Sequence, residues 1–536
     1  MQPLNSDLSG GSVVPPEAND HASDKKSGLY TFLRRGVIFI LVCLYFGAFA
    51  PLGVDFHHDG VMFIPALRVA SGEMVFRDVF CQYGFLSPVL QGFSLWLGGN
   101  ELLVMKYFSV LFYAGSAVLL DIIWQRFISL RWRNFLMLMY FALMPDSLVT
   151  FHPWSSIFAL FFSLAAIEFM LSYLSGRKKI RLFCAGMFAG ITFLARHPVG
   201  VVTLLSILIS LFFDIMLSKT ETRNWKDFAW KNLIAFAGFL LITGAVAILL
   251  ILTGAWDDFV LQCVTYVFNF VHGRGGNGSW NYFAASLMPF ITDNLFADSI
   301  FAILPLFPLY WMFKATRSAI VDRSAKNYWC MLVTLTVFAF GSWHQYYPVP
   351  CVRHLFWGGV PFFGFFIMSI NSLWHHQGER AKLAKILALL CLLNFAFCAS
   401  FRVVSGYRRL AGASKRQVSS LPGLRGMKYS KGEAAVISYF RNCLDQLPED
   451  IRKRGVLNYT PNALWSVILP DAGFRHPQFL HMGNALYRDY DEKIIQFIRS
   501  NRPAVLSIHP IYLENYWPAG RCEYMGEAYT LWAPSN

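Results

Sequence analysis

The chain has 536 residues, of which 55% are hydrophobic, 17% aromatic and only 15% charged, against roughly a quarter charged in ordinary soluble chains. That balance excludes a soluble multidomain protein. The formal charge of +14, from 46 Lys and Arg against 32 Asp and Glu, would point to nucleic acid in a soluble chain, but here the basic residues flank apolar runs and read as a membrane-topology signal, with no nucleic-acid partner expected.

Residues 1–36 read as a disordered cytoplasmic leader, because Met1–Ser27 is rich in Ser, Asp, Pro and Gly and too poor in apolar residues to fold. Lys25, Lys26, Arg34 and Arg35 precede the first apolar run, Val37–Val54, and hold its start on the cytoplasmic side. A cleaved signal peptide is the competing reading, but a polar leader of about 36 residues is too long for an n-region. Further runs lie at Leu102–Ile123, Phe135–Val149, Ile157–Leu174, Leu182–Leu194, Val199–Leu217, Leu233–Leu252, Phe296–Phe313, Tyr328–Ser342, Leu355–Leu373 and Ala384–Ser400. Together they predict a polytopic α-helical membrane domain over 37–400 with about eleven transmembrane helices.

An odd number of spans puts the amino terminus in the cytoplasm and a small α/β domain, 401–536, outside. The loop charges agree: 22 Lys and Arg fall in the proposed cytoplasmic segments and 5 in the outer ones, namely Arg68, Arg77, Arg196, Arg274 and Arg353, with Lys106 counted inside its span. No CxxC pair exists, and Cys43, Cys184, Cys330, Cys391 and Cys398 lie inside proposed spans as apolar packing. Cys443 and Cys522 are the two cysteines of the outer domain, where a disulfide between them is left open.

Eleven spans are more than an anchor needs, so the costly polar residues at their outer ends mark the candidate site. The first outer segment runs Val54, Asp55, Phe56, His57, His58, Asp59, Gly60, continues as an amphipathic stretch to Gly72, and then gives Arg77, Asp78, Val79, Phe80, Cys81, Gln82, Tyr83 and Gly84. A carboxylate at a dry membrane edge gains basicity from desolvation; the plainer reading is that Asp59 and Asp78 cap the helices that follow. Phe85–Leu97 is an interfacial helix, broken by Gly98, Gly99 and Asn100.

The turn Thr150–Trp154 offers His152, the turn between spans five and six offers Arg196 and His197, and the segment Trp343–His354 ends in a second Arg-His pair, Arg353 and His354. Each is either an interfacial snorkelling residue or a contact for a phosphate. The outer loop Gly254–Leu295 carries the glycine-rich run Gly273–Ser279, which lacks the Lys-Ser/Thr of a P-loop and is read as either a lid or a linker. The outer domain holds strand-like Gly455–Tyr459 and Ala504–Ile508, helical Lys431–Leu447 and Asp491–Arg499, and no catalytic motif.

An Asp directly after span one, an amphipathic helix, and an Arg-Asp pair leading into Tyr-Gly resemble the GT-C superfamily of membrane glycosyltransferases, such as protein mannosyltransferases and lipid A arabinose transferases. The resemblance covers about Val37–Ser400 and departs from the common pattern in having His-His-Asp-Gly where many members have Asp-Glu. It implies inverting transfer of a sugar from a polyprenyl-phosphate donor to a hydroxyl of a glycan or glycolipid acceptor, on the outer face of a bacterial inner membrane. It gives Asp59 the role of catalytic base and Asp78 the second acidic position. His57, His58, Arg77, Tyr83, His152, Arg196, His197, Arg353 and His354 are then the expected substrate contacts. A divalent cation, Mg2+ or Mn2+, would sit between Asp59, Asp78 and the phosphate. The rival readings are a polyprenyl-diphosphate glycan polymerase or ligase run by the Arg-His pairs, a lipid or polysaccharide transporter, and a scaffold. A transporter should show paired halves and polar groups midway along its spans, whereas these cluster at the outer ends.

Overall fold

The apolar runs become long helices in the computed structural model, which describes residues 25–217, 224–266, 295–321, 326–346, 351–474, 490–508 and 515–535. Among the described residues, 7 helical segments are long and apolar enough to cross a membrane: Gly28–Phe49, Leu102–Trp124, Ser155–Gly176, His197–Met216, Trp225–Leu252, Val352–Trp374 and Ala381–Lys415. Each coincides with a predicted span. The other four predicted spans fall on shorter or broken helices. Phe135–Val149 meets a 13-residue helix, Leu182–Leu194 a 17-residue one and Tyr328–Ser342 an 18-residue one, while Phe296–Phe313 is divided between Leu295–Ile303 and Leu306–Val321. Seven crossings are therefore supported by length and composition, and the count of about eleven is not. The Gly273–Ser279 run and most of the leader lie outside the described residues.

Five helices position the site: α1 (Lys25–Phe49), α2 (His58–Ala70), α3 (Leu86–Gly98), α4 (Leu102–Trp124) and α5 (Leu130–Ala142). α1 packs along α4, and α2 against α3. The amphipathic stretch before Gly72 is α2. The expected interfacial helix is α3, which leaves Phe93, Trp96 and Leu97 exposed on one side. Helix Ala381–Ala411 has 31 residues, about 46 Å of rise, so it outruns a bilayer core of about 30 Å. Near its end Arg409 hydrogen-bonds the carbonyls of Asp146, Val149 and Leu52, tying it to the loops after α1 and α5.

The chain then forms a two-stranded ribbon, β1 (Gln417–Val418) with β2 (Lys428–Tyr429), and a four-stranded sheet in the order β3-β4-β6-β5. In this sheet β3 (Val456–Tyr459) runs parallel to β4 (Ala504–Ser507), while β6 (Glu527–Pro534) is antiparallel to both β4 and β5 (Tyr516–Tyr524). The helix Lys431–Asp445 starts with a capping box between Ser430 and Glu433. Cys443 and Cys522 are both free thiols. This carboxyl-terminal module is packed on the helix bundle: one apolar core runs from the bundle into it, and the Phe56 ring lies 4.9 Å from that of Trp465.

Candidate active site

The carboxyl end of α1 turns through Ala50–Leu52 into a loop that the carboxyl-terminal module clamps. Gly53 donates to Lys428 O (2.9 Å), Lys428 donates back to Pro51 O (2.7 Å), and Val54 donates to Glu433 Oε1 (3.2 Å). Gly53 has φ +82°, with Arg416, Glu433 and Thr150 side chains within 3.5 Å of where a Cβ would stand, so the position suits glycine alone. Gly60 is fixed by proximity instead: a Cβ there would lie 2.2 Å from Leu464 N. Leu464 in turn donates to Phe56 O at 2.8 Å, and His57 Nδ1 lies 2.5 Å from Pro461 O. The loop Pro461–Leu464 thus roofs the first turn of α2.

Within this clamp Asp55 performs two tasks. Its Oδ1 accepts the backbone N–H groups of His57 (3.0 Å) and His58 (2.7 Å), which starts α2. Its Oδ2 faces His58 Nδ1 at 3.1 Å and His152 Nε2 at 3.2 Å. Burial raises the Asp55 carboxyl, but the hydrogen bonds from His152 and His58 outweigh it and hold the group well below the usual carboxylate range. His152 is buried; burial, with Arg353 beside it, pushes its imidazole well below the usual histidine value and keeps it neutral. Arg353 Nη2 donates to Thr150 O (2.7 Å) and lies 3.1 Å from His152 Nε2. The His58 ring stacks on His152 at 4.9 Å and meets Trp154 edge-on at 5.2 Å, and Tyr83 packs edge-on against the same Trp154 at 5.1 Å.

Asp59, the expected base, stands elsewhere. It has no exposed surface and pairs with the equally buried Lys106 (2.8 Å), while its Oδ2 also accepts the Asp55 N–H (3.0 Å). Burial pushes the Asp59 carboxyl up and Lys106 opposes that. Lys106 further reaches Gly53 O at 3.4 Å. The ion pair therefore holds the backbone of Asp55 from behind. Asp78 is separate again: it is bridged to Arg77 at 2.8 Å and accepts the Met74 N–H at 2.8 Å, which hold its carboxyl at about 2. Arg77 reaches Thr253 O (2.9 Å), on the turn after helix Trp225–Leu252.

The remaining expected contacts divide. Arg196 is coupled electrostatically to Tyr83 and Cys351, and its Nη1 is buried without a hydrogen-bond partner. His344 is coupled to Arg196 and likewise leaves Nε2 without one; Arg353 leaves Nε. Nitrogens of Arg196, His344 and Arg353, from the ends of different helices, and Trp154 Nε1 are thus buried without hydrogen-bond partners, a donor chemistry that suits an oxyanion. His197 packs between Phe193 and Phe259, at 4.7 and 5.6 Å, with its Nε2 likewise buried without a hydrogen bond, and the His354 ring lies 5.5 Å from Trp357. The structure adds Asp55, Lys106, Trp154 and His344 to the residues of interest. A charge within the apolar run Leu102–Ile123 was the available sign for Lys106.

One group among the described residues has metal-binding geometry: Asp55, His58 and His152 offer donor atoms that all lie within 4.8 Å of one another. Asp59 and Asp78 do not belong to it. One carboxylate oxygen with two imidazole nitrogens is a donor set for a zinc-like ion more than for Mg2+.

The sequence matches no protein-family profile and no curated protein. In three dimensions the chain resembles ArnT from Cupriavidus metallidurans bound to undecaprenyl phosphate, with a TM-score of 0.54 at 10% identity over 95% of this chain and 98% of that one. The apo state of the same protein gives 0.53 at 9% identity over 94% and 98%. The Archaeoglobus fulgidus oligosaccharyltransferase in complex with Zn and sulfate gives 0.52 at 11% identity, over 88% of this chain and 67% of that one.

Proposed function

On the GT-C glycosyltransferase fold that the chain shares with ArnT and the oligosaccharyltransferase, we propose that it is an inverting glycosyltransferase of a bacterial inner membrane. It takes a sugar from a polyprenyl-phosphate carrier and passes it to a hydroxyl of a glycan or glycolipid on the outer face. The observation that carries this is Asp55 Oδ2, held between His58 and His152 at the outer end of α1 with Arg353 alongside. The undecaprenyl phosphate bound by ArnT supports the carrier.

In this reading Asp55 replaces Asp59 as the acting carboxylate. The acceptor oxygen attacks the anomeric carbon from the face opposite the phosphate, the bond to the phosphate oxygen breaks, and the acceptor proton passes to Asp55 Oδ2. A carboxylate held ionised by two imidazoles is a weak base, so the proton moves late, after the new C–O bond has made the attacking oxygen acidic. The departing phosphate is met by Arg353 and Arg196, whose Nε and Nη1 have no other hydrogen-bond partner. Asp55, His58 and His152 would hold a cation, with Oδ2 then its ligand in place of taking the proton, and the ion would supply positive charge to the phosphate when bound; the Zn of the oligosaccharyltransferase complex supports a zinc-like ion there. Asp59 and Lys106 position the Asp55 backbone.

A second reading, transfer from a polyprenyl-diphosphate glycan, draws on the unpartnered nitrogens of Arg196, His344 and Arg353 and leaves Asp55 structural. Transfer of labelled sugar from polyprenyl phosphate in proteoliposomes tests the choice. The proposal expects product from wild type and none from Asp55→Asn; product from a diphosphate donor alone, undiminished in Asp55→Asn, favours the second reading.

A further inference from the structure

The end of α1 remote from Asp55 carries a charge cluster that the proposed reaction does not use. Asp121, near the end of α4, is fully buried and faces three guanidinium groups. Arg34 Nη1 and Arg133 Nη1 (3.0 Å) meet its Oδ1, and Arg35 Nε lies 3.5 Å from Oδ2. One carboxylate against three cations leaves two positive charges in excess. The other partners are neutral amides: Arg34 Nη2 donates to Asn134 Oδ1 (3.0 Å) and Arg35 Nη2 to Gln125 Oε1 (2.9 Å), while Arg133 Nε is buried with no hydrogen bond. Partly buried cations without matching counter-charge are costly, and an anion drawn from outside the chain would offset that cost.

The surface next to the cluster fits the apolar part of such an anion. α5 has only 13 residues and rises about 20 Å, short of a bilayer core of about 30 Å, so it covers only part of α1. A groove of about 410 Å³ lies between them, walled by Leu33, Val37, Leu41, Met137 and Phe141, with Arg34 reaching into it. Val37 and Leu41 are about half exposed there. We propose that this groove binds an anionic phospholipid of the leaflet opposite the Asp55 site, its phosphate on Arg34 and Arg35 and one acyl chain along α1. Basic pockets between transmembrane helices are a known setting for anionic head groups, and the three-to-one charge ratio around Asp121 selects for one. About 22 Å of helix separates Arg34 from Phe49, so this lipid is distinct from a sugar donor at Asp55.

The test is binding, independent of any transferase activity. The full-length protein is purified, stripped of lipid, and its thermal unfolding midpoint is titrated in mixed micelles with phosphatidylglycerol or with phosphatidylcholine of the same chains. Phosphatidylglycerol is expected to raise the midpoint and phosphatidylcholine to leave it near baseline. In Arg34→Gln/Arg35→Gln half-saturation should weaken by roughly thirtyfold, from the attraction lost per arginine. Val37→Trp fills the groove, leaves the arginines in place, and is expected to remove the increment too. Equal shifts from both lipids, or an undiminished phosphatidylglycerol increment in the arginine variant, would overturn the proposal. If the arginine variant does not fold, an undiminished increment in Val37→Trp overturns it.

Discussion

Asp55 and Asp59 lie four residues apart at the start of α2 and live in opposite surroundings. Asp59 is sealed behind the loop with a single cation, Lys106, at 2.8 Å, and spends its second contact on the Asp55 N–H. Asp55 stands in front, partly exposed, with one oxygen building the helix start and the other turned to two imidazoles. The two sides differ in what is left over: at the back Asp59 Oδ1 is a buried acceptor without a hydrogen bond, while at the front Arg196, His344 and Arg353 each leave a buried nitrogen without one. The Asp59 charge is met by a buried cation inside the chain, whereas the front offers nitrogens that an anion from outside can meet.

The largest effect expected from this contrast is at the front. Asp55→Asn keeps size and the α2 cap through Oδ1 and should lower transfer by about 10²–10⁴-fold, with a lower unfolding midpoint in detergent from the lost charge between His58 and His152 but a folded protein. At the back, Lys106→Met leaves a buried carboxylate uncompensated and should cost about 3–5 kcal/mol; Asp59→Asn/Lys106→Met should recover most of that, as read by denaturation of both variants.

The sequence made part of this legible. An acid-rich loop at the end of the first span, the amphipathic α2, the interfacial α3 stopped by Gly98 and Gly99, and the β3 and β4 segments all follow from periodicity and turn residues. Asp55 was not separable from Asp59, because both follow α1 closely and only the direction of the first turn of α2 sends one inward and one outward. Lys106 hid in an apolar run, where the partner that neutralises it comes from 47 residues earlier in the chain. His152 and Arg353 were picked out singly, but their meeting across 201 residues at 3.1 Å is a product of packing. The count of about eleven crossings rests in part on helices of 13 and 17 residues, whose length alone does not show that they cross.

Smaller effects sharpen the contrast. Arg353→Gln removes one donor to the departing phosphate and should lower kcat by about 10²-fold with little change in stability. Chelation should lower activity and Zn2+ restore it, with the same treatment silent in His152→Gln. His152, held neutral below the usual histidine value by burial and Arg353, makes the fold sensitive to acid. The unfolded chain takes up a proton near pH 6.5 that the folded one refuses, so stability falls below that point by roughly 1.4 kcal/mol per pH unit and is flat above it. Asp55 adds nothing in that window, because its depressed folded value and its unfolded value near 3.9 both lie below it. Thermal midpoints at pH 7.5 and 5.5 should therefore differ in wild type and lie closer together in His152→Gln, where the buried His344, lowered to about 4, keeps part of the difference. The smallest effect is expected at Arg77 and Asp78, a solvent-facing pair whose neutralisation should leave stability nearly unchanged and transfer within a few-fold of wild type.

The central claim is that Asp55 acts and Asp59 supports. It is tested most directly by measuring sugar transfer from polyprenyl phosphate for Asp55→Asn and Asp59→Asn/Lys106→Met in matched proteoliposomes, with unfolding midpoints recorded on the same samples. The account predicts a folded, inactive Asp55→Asn and a double variant that retains much of the wild-type rate. A folded double variant without activity beside an active Asp55→Asn would contradict it and return the catalytic role to Asp59.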